Sequence, residues 1–311
     1  MSHVVRNIIL NRNVILILSL ILGLSWNDFA FDLKAYTMPI LIVMMIFSMT
    51  GIDTRALFPL KKMVRPMVVG TVLNFFVFGT VMILLAYLLM PDDELFYGFV
   101  VIAAAPPGIA IIPFSGILRG NMNYSIIGIF GAFLASIVIA PIVISIFTSG
   151  EMLVSPIQLT WLMVKLIIIP LLISRLLLFG PVDRAVKAVR GKIVDLGFAV
   201  IIYTAVGINN HVFFQNFDVL ILITIVLLTV TFGMGSLFEF LMKRTGRINE
   251  NVIPQTLLLT IKSSGFSVVT AFTLFGEKAA IPSAVLAVIV LLYLLFLTTR
   301  KGIKKALGFE N

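Results

Sequence analysis

The sequence predicts an all-α polytopic membrane protein: ten transmembrane helices in a five-plus-five inverted repeat, with two discontinuous helices that cross. Three observations carry this expectation. Hydrophobic residues make up 60% of the 311 positions and charged residues 12%, with a mean hydropathy of +1.14. That is far outside the soluble range, so the solvent is largely lipid. The 23 Lys and Arg residues fall almost entirely on alternate inter-helix segments. Two apolar stretches in matching places of the two halves are interrupted, at Ala105-Pro106-Pro107-Gly108 and at Lys262-Ser263-Ser264-Gly265.

Taken in order, the apolar segments are 14–26, 38–52, 66–90, 95–118, 124–149, 156–178, 193–213, 219–242, 252–275 and 281–299. The first two are short for a span of ~20 residues, and their helices are expected to extend through Ile8 and Tyr36. The first run lacks a small-residue cleavage site and reads as a signal anchor. Of the Lys and Arg residues, nineteen lie on the side of the amino terminus, and only Lys34 and Lys278 on the other. This is the positive-inside pattern, which predicts a plasma (inner) membrane protein with both termini cytoplasmic. The net charge of +9 is therefore topology rather than a nucleic-acid footprint. Lys187 and Arg190 read as a basic cytoplasmic loop. The absence of cysteine removes disulfides, thiolate metal sites and cysteine nucleophiles.

The halves are 1–149 and 150–311. Ile46-Phe47-Ser48-Met49-Thr50-Gly51-Ile52-Asp53 reappears as Ile202-Tyr203-Thr204-Ala205-Val206-Gly207-Ile208-Asn209, and Gly120 pairs with Gly276 at the same offset of 156. Five helices per half is an odd number, so the second half enters the membrane inverted.

A backbone broken at membrane depth leaves peptide groups unpaired, which is tolerated only where protein, water or a ligand satisfies them. Paired breaks of this kind point to the substrate site of a secondary transporter. The candidate site is Pro106, Pro107, Gly108 and Ile109 with Lys262, Ser263, Ser264, Gly265 and Phe266. The amino ends of the second half-helices suit an anion. Lys262 is the sharpest residue, because a charge deep in a membrane is costly and faces a cavity or a partner. It either pairs with freed carbonyls or waits for an anionic substrate. Lys165 can snorkel more easily. Asn74 and Ser125 are candidates for bonding a neighbour's broken backbone. Ser48, Thr50, Thr204 and Asn209 are candidates for lining a cavity, while His211 reads as a surface histidine. No metal site, cofactor motif or enzymatic constellation is visible.

Ala104-Ala105-Pro106-Pro107-Gly108 followed by Arg119-Gly120-Asn121 resembles a Pro-Gly-Gly to Arg-Gly-Asn stretch of the bile acid:sodium symporter superfamily. Ser264-Gly265 is similar to that family's Asn-Ser-Gly, and Arg65 to Asn74 to its third helix. The resemblance implies a core domain holding the crossing, a panel domain of helices 1, 2, 6 and 7, and substrate bound between them with alternating access. It also implies two sodium ions held by oxygen-bearing residues, and here the sequence departs. Ile111, Ile112, Ile129 and Leu258 stand at positions that bear oxygens in the family, and Lys262 stands where a glutamine binds sodium. Aliphatic side chains cannot ligate sodium. The expectation is a sodium-independent carrier of a small organic anion, with Lys262 as a built-in cation. Proton-coupled or sodium-coupled transport on the same fold is an alternative, since burial penalises the charged lysine. A membrane receptor or sensor is another.

Overall fold

In lipid the backbone must satisfy its own polar groups, so the apolar runs fold as helices. The computed structural model describes residues 12–54, 61, 63–148, 155–179, 182–215 and 217–306. Arg6, Arg55, Lys62 and most of the linker between the halves lie outside them, as does the expected extension through Ile8. The elements are α1 (Arg12–Ser25), α2 (Ala30–Lys34), α3 (Thr37–Met49), α4 (Val64–Leu89), α5 (Asp93–Ala104), α6 (Ile111–Ile117) and α7 (Met122–Phe147). Then follow α8 (Pro156–Leu177), α9 (Val182–Ile208), α10 (Asn210–Gln215), α11 (Phe217–Arg244), α12 (Val252–Thr260), α13 (Ser264–Phe275) and α14 (Ile281–Ala306). No strand occurs among the described residues. Six of these helical stretches are long and apolar enough to cross a bilayer alone, and the protein is an integral membrane protein.

Side chains set several of the helix starts. Asp92 accepts from the Leu95 N–H at 3.0 Å to cap α5, and Asn121 accepts from the Tyr124 N–H at 3.0 Å to cap α7. Ser155 and Gln158 form a reciprocal capping box on α8. Two features were not expected. Helices α4 and α11 each contain a π-helical turn, at Val72–Val77 and Thr229–Gly233. The seventh helix also starts at Val182 rather than 193, so Lys187 and Arg190 lie on a helix and not in a loop. Hydropathy marks where apolar residues begin, and a helix continues into polar sequence until something breaks it. Here Lys187 pairs with Asp183 at 2.8 Å, one turn away, and supports that extension.

Helix α9 packs along α1 and α3, and α8 along α3. Helices α4, α5 and α12 pack on α7, while α13 packs on α5 and α14. The four half-helices α5, α6, α12 and α13 are thereby held between α4 and α7 on one side and α14 on the other.

Candidate functional site

The two breaks meet. Pro107 and Lys262 form an isolated antiparallel bridge. The Gly108 N–H donates to the Ile261 carbonyl and the Ser263 N–H donates to the Pro106 carbonyl, each at 3.0 Å. Pro106 has no N–H to offer, so this pairing uses its oxygen alone. A Cβ on Gly108 would lie 3.2 Å from both the Ile261 side chain and the Lys262 carbonyl, which is why the smallest residue stands at this crossing.

Prolines also determine what the crossing lacks. In an uninterrupted helix the Ala103 carbonyl would accept from the N–H of residue 107, but residue 107 is proline. The Ala105 carbonyl loses its partner where the helix stops. The Lys262 ammonium supplies both: Nζ lies 2.9 Å from the Ala103 oxygen and 2.8 Å from the Ala105 oxygen. Its third hydrogen bond goes to Asn74 Oδ1, at 2.8 Å. Three donors meet three oxygens. The side chain is 1% exposed, and the rings of Phe75 and Phe78 lie 4.8 and 5.0 Å from the ammonium. A cation here also faces the negative end of the α5 dipole.

Asn74, Phe75 and Phe78 owe their aim to the π turn of α4, which widens the helix at Asn74. The second arm of the Asn74 amide donates to the Leu258 carbonyl of α12 at 3.3 Å. One side chain thus ties α4 to α12 and to Lys262. Leu258, Ile111, Ile112 and Ile129 are all buried.

Ser125 is fully buried with its Oγ 2.5 Å from the Ser115 Oγ of α6. Ile109 and Ser263 are partly exposed, whereas Pro106, Pro107, Ser264, Gly265 and Phe266 are buried. Gly265 faces Met44 of α3 and Phe198 of α9, so the start of α13 is the place where the crossing touches the other helix group. Thr50 and Thr204 turn their hydroxyls to their own helices, on the Phe47 and Val200 carbonyls, and Ser48 is half-buried. Asn209 does not stand free in a cavity. It donates to the Ala205 carbonyl at 2.9 Å and to the Glu277 carbonyl at 3.2 Å, beyond the end of α13. Lys165 is exposed, on the face of α8 that carries Trp161, Ile169 and Leu172, and is not among the groups around Lys262. The His211 side chain lies outside the described residues.

Several residues of this region were not singled out from sequence. Phe75, Phe78 and the two carbonyls belong among them, although Pro107 marks the Ala103 oxygen by its position four residues on. The Arg119-Gly120-Asn121 stretch makes a tight turn between α6 and α7 against the start of α12: Arg119 has a φ of 55°, and a Cβ on Gly120 would strike Ile253 and Pro254. Asn121 bonds Glu250 and Asn251 at the start of α12. At the opposite end, Lys34 pairs with Glu277 at 2.6 Å and Lys278 with Asp92 at 3.1 Å. The first of these joins α2 to the end of α13.

An all-helical membrane protein with two broken helices crossing over a buried cation has the architecture of a secondary transporter. Residues 38–216, more than half the chain, match the Sodium Bile acid symporter family. The chain belongs to that family, whose members are membrane transporters. Lys262 and Leu258 lie beyond the matched residues. No match was found among curated proteins.

Proposed function

We propose that the protein carries a small organic anion across the plasma membrane by alternating access without sodium, with the Lys262 ammonium in the place of the ion. The observation that carries this reading is the coordination of Nζ by Asn74 Oδ1 and the Ala103 and Ala105 carbonyls. An amide oxygen and two unpaired main-chain carbonyls are hard oxygen donors suited to a monovalent cation, and a tethered ammonium occupies them permanently. With all its hydrogens used, Lys262 supports the crossing rather than contacting substrate. The anion is left to the first turn of α13, where the Gly265 and Phe266 N–H groups have no preceding helical carbonyl and where α3 and α9 approach.

The same reading divides the molecule into inverted halves, 1–149 and 150–311, with ten helices and both termini in the cytoplasm. The crossing and the two π turns, whose starts are 157 residues apart, support the repeat. Helices α1, α3, α8 and α9, with the short α2 that joins the first two and packs on α9, form the panel, and the rest form the core. The Lys34–Glu277 pair then bridges panel and core on the outer side.

Uptake of candidate organic anions into proteoliposomes tests the proposal. Uptake is expected to be unchanged when sodium is replaced by potassium or choline at constant ionic strength, and flat between about pH 6 and 8, the behaviour of a fixed cation that takes no part in proton transfer. A saturable sodium requirement overturns it. Proton movement tied to substrate, abolished in Lys262→Arg, would replace it with the proton-coupled alternative, and binding without flux would indicate a sensor.

A further inference from the structure

A cavity of about 500 Å³ lies within the core group, between the end of α11, the start of α12 and the last turns of α14. None of its lining residues belongs to α1, α3, α8 or α9, and none to the groups around Lys262. It is therefore separate from the crossing. Its charged residues are Lys243, Glu239 and Arg300. Glu239 is ion-paired with Arg300, and Arg300 also lies 5.6 Å from the Phe296 ring. Lys243 has no ion pair among the described residues and is exposed. Two cations against one anion leave the cavity with an excess positive charge, and Arg244, Arg247 and Glu250 on the adjoining exposed stretch add one more.

The rest of the lining has another character. Phe240, Ile248 and Leu297 contribute apolar walls. Phe240 is also 56% exposed on the outer surface of α11, the surface that meets lipid in a membrane protein, and Ile248 is 65% exposed in the connection between α11 and α12. A site that is cationic at its polar end, apolar along its walls and continuous with the lipid-facing surface fits an amphiphile that arrives from the bilayer. A soluble anion gains nothing from the apolar walls, and a neutral lipid gains nothing from Lys243.

We propose that this cavity binds one anionic phospholipid from the leaflet on the Lys243 side. The headgroup phosphate pairs with Lys243 and with the face of Arg300 that Glu239 leaves open, and an acyl chain lies along Phe240, Ile248 and Leu297. Basic pockets between transmembrane helices bind anionic headgroups by this combination of charge and burial. The site lies on α11, α12 and α14, elements that flank the crossing, so its occupant is a structural ligand of the core rather than a substrate.

Native mass spectrometry of the full chain, released from bilayers of equimolar phosphatidylglycerol and phosphatidylcholine, tests this directly. One phosphatidylglycerol is expected to stay bound per chain, favoured over phosphatidylcholine by about five-fold or more, the preference that one basic residue near a membrane surface confers. Lys243→Glu, an exposed position at which folding is not at stake, should abolish the preference. Arg247→Glu, outside the cavity lining, should leave most of it. Equal retention of the two lipids, or an unchanged preference in Lys243→Glu, overturns the proposal. So does displacement of the lipid by millimolar glycerol phosphate, which would make the site one for soluble phosphate.

Discussion

Replacing Lys262 by methionine removes the ammonium while keeping most of the stem's volume. Asn74 Oδ1 and the Ala103 and Ala105 carbonyls then lose their donor together. Each buried acceptor left unpaired costs ~1–3 kcal/mol. The sum overstates the effect, because burying the ammonium itself carried a desolvation cost that the substitution relieves. A net loss of about 3 kcal/mol follows. At roughly 2–4 °C per kcal/mol for a chain of this size class, that is a fall of roughly 6–12 °C in melting temperature. Lys262→Ala loses more, since it also leaves a cavity where one of the largest fully buried side chains stood. It has a second consequence that methionine lacks: space opens among three oxygens. Sodium chloride should stabilise Lys262→Ala relative to choline chloride at equal ionic strength, by ~2.7 kcal/mol if sodium reaches a hundred times its dissociation constant. The wild type should not respond. Thermal unfolding in detergent reads all of this, with transport measured in parallel. Wild-type melting and transport in Lys262→Met would return the lysine to a packing role. Stabilisation of the wild type by sodium would refute the cation-surrogate reasoning.

Asn74→Leu keeps the shape of the side chain but orphans one ammonium hydrogen and the Leu258 carbonyl, so it should cost roughly 2–3 kcal/mol and reduce transport at least as much as Lys262→Met, measured by the same two assays. A cysteine pair at positions 34 and 277, joined by a short bis-methanethiosulfonate reagent that forms a reducible disulfide with each, should stop transport until the link is cleaved. Removing the ion pair alone by Lys34→Ala should cost no more than ~1 kcal/mol, because both partners are more than a third exposed. In this cysteine-free chain, single cysteines at Asp93 and Arg247 should label from opposite sides of the membrane, Arg247 from the cytoplasm; labelling of both from one side would overturn the ten-helix arrangement.

The position of each break was legible in the sequence because proline and glycine act on the backbone locally, whatever surrounds them. The Ala103 oxygen was legible in principle for the same reason, since Pro107 deprives it of its partner. The π turn was not. Nothing in Val-Leu-Asn-Phe-Phe-Val marks a widened turn, which exists because packing against α12 and Lys262 compensates its poorer geometry. The start of α9 was misplaced by eleven residues because hydropathy reports solvent rather than helix ends. Lys34 and Glu277 are separated by 243 residues, and no local pattern joins them. Asn209 was expected to line a cavity, and its partner, a main-chain carbonyl beyond α13, has no side chain to announce it.

The π turn at Val72–Val77 sets a constraint that is counted in residues and not in chemistry. An α-helix rotates about 100° per residue, and a π turn accommodates one residue more than the regular spiral. Excising a single position between Val72 and Val77 would leave a well-formed, equally apolar helix, able to insert as before. The parts on either side would keep their aim, because the extra residue is what the wide turn absorbs, but the turn itself would close, so that Asn74 no longer reaches both the ammonium and the Leu258 carbonyl. Substitutions among Val, Leu and Ile at the outward positions of this segment should pass unnoticed, whereas a one-codon deletion should be as damaging as the loss of Lys262. The same holds for Thr229–Gly233 in the other half, which makes the length of these two short segments a more stringent test of relatedness than their composition.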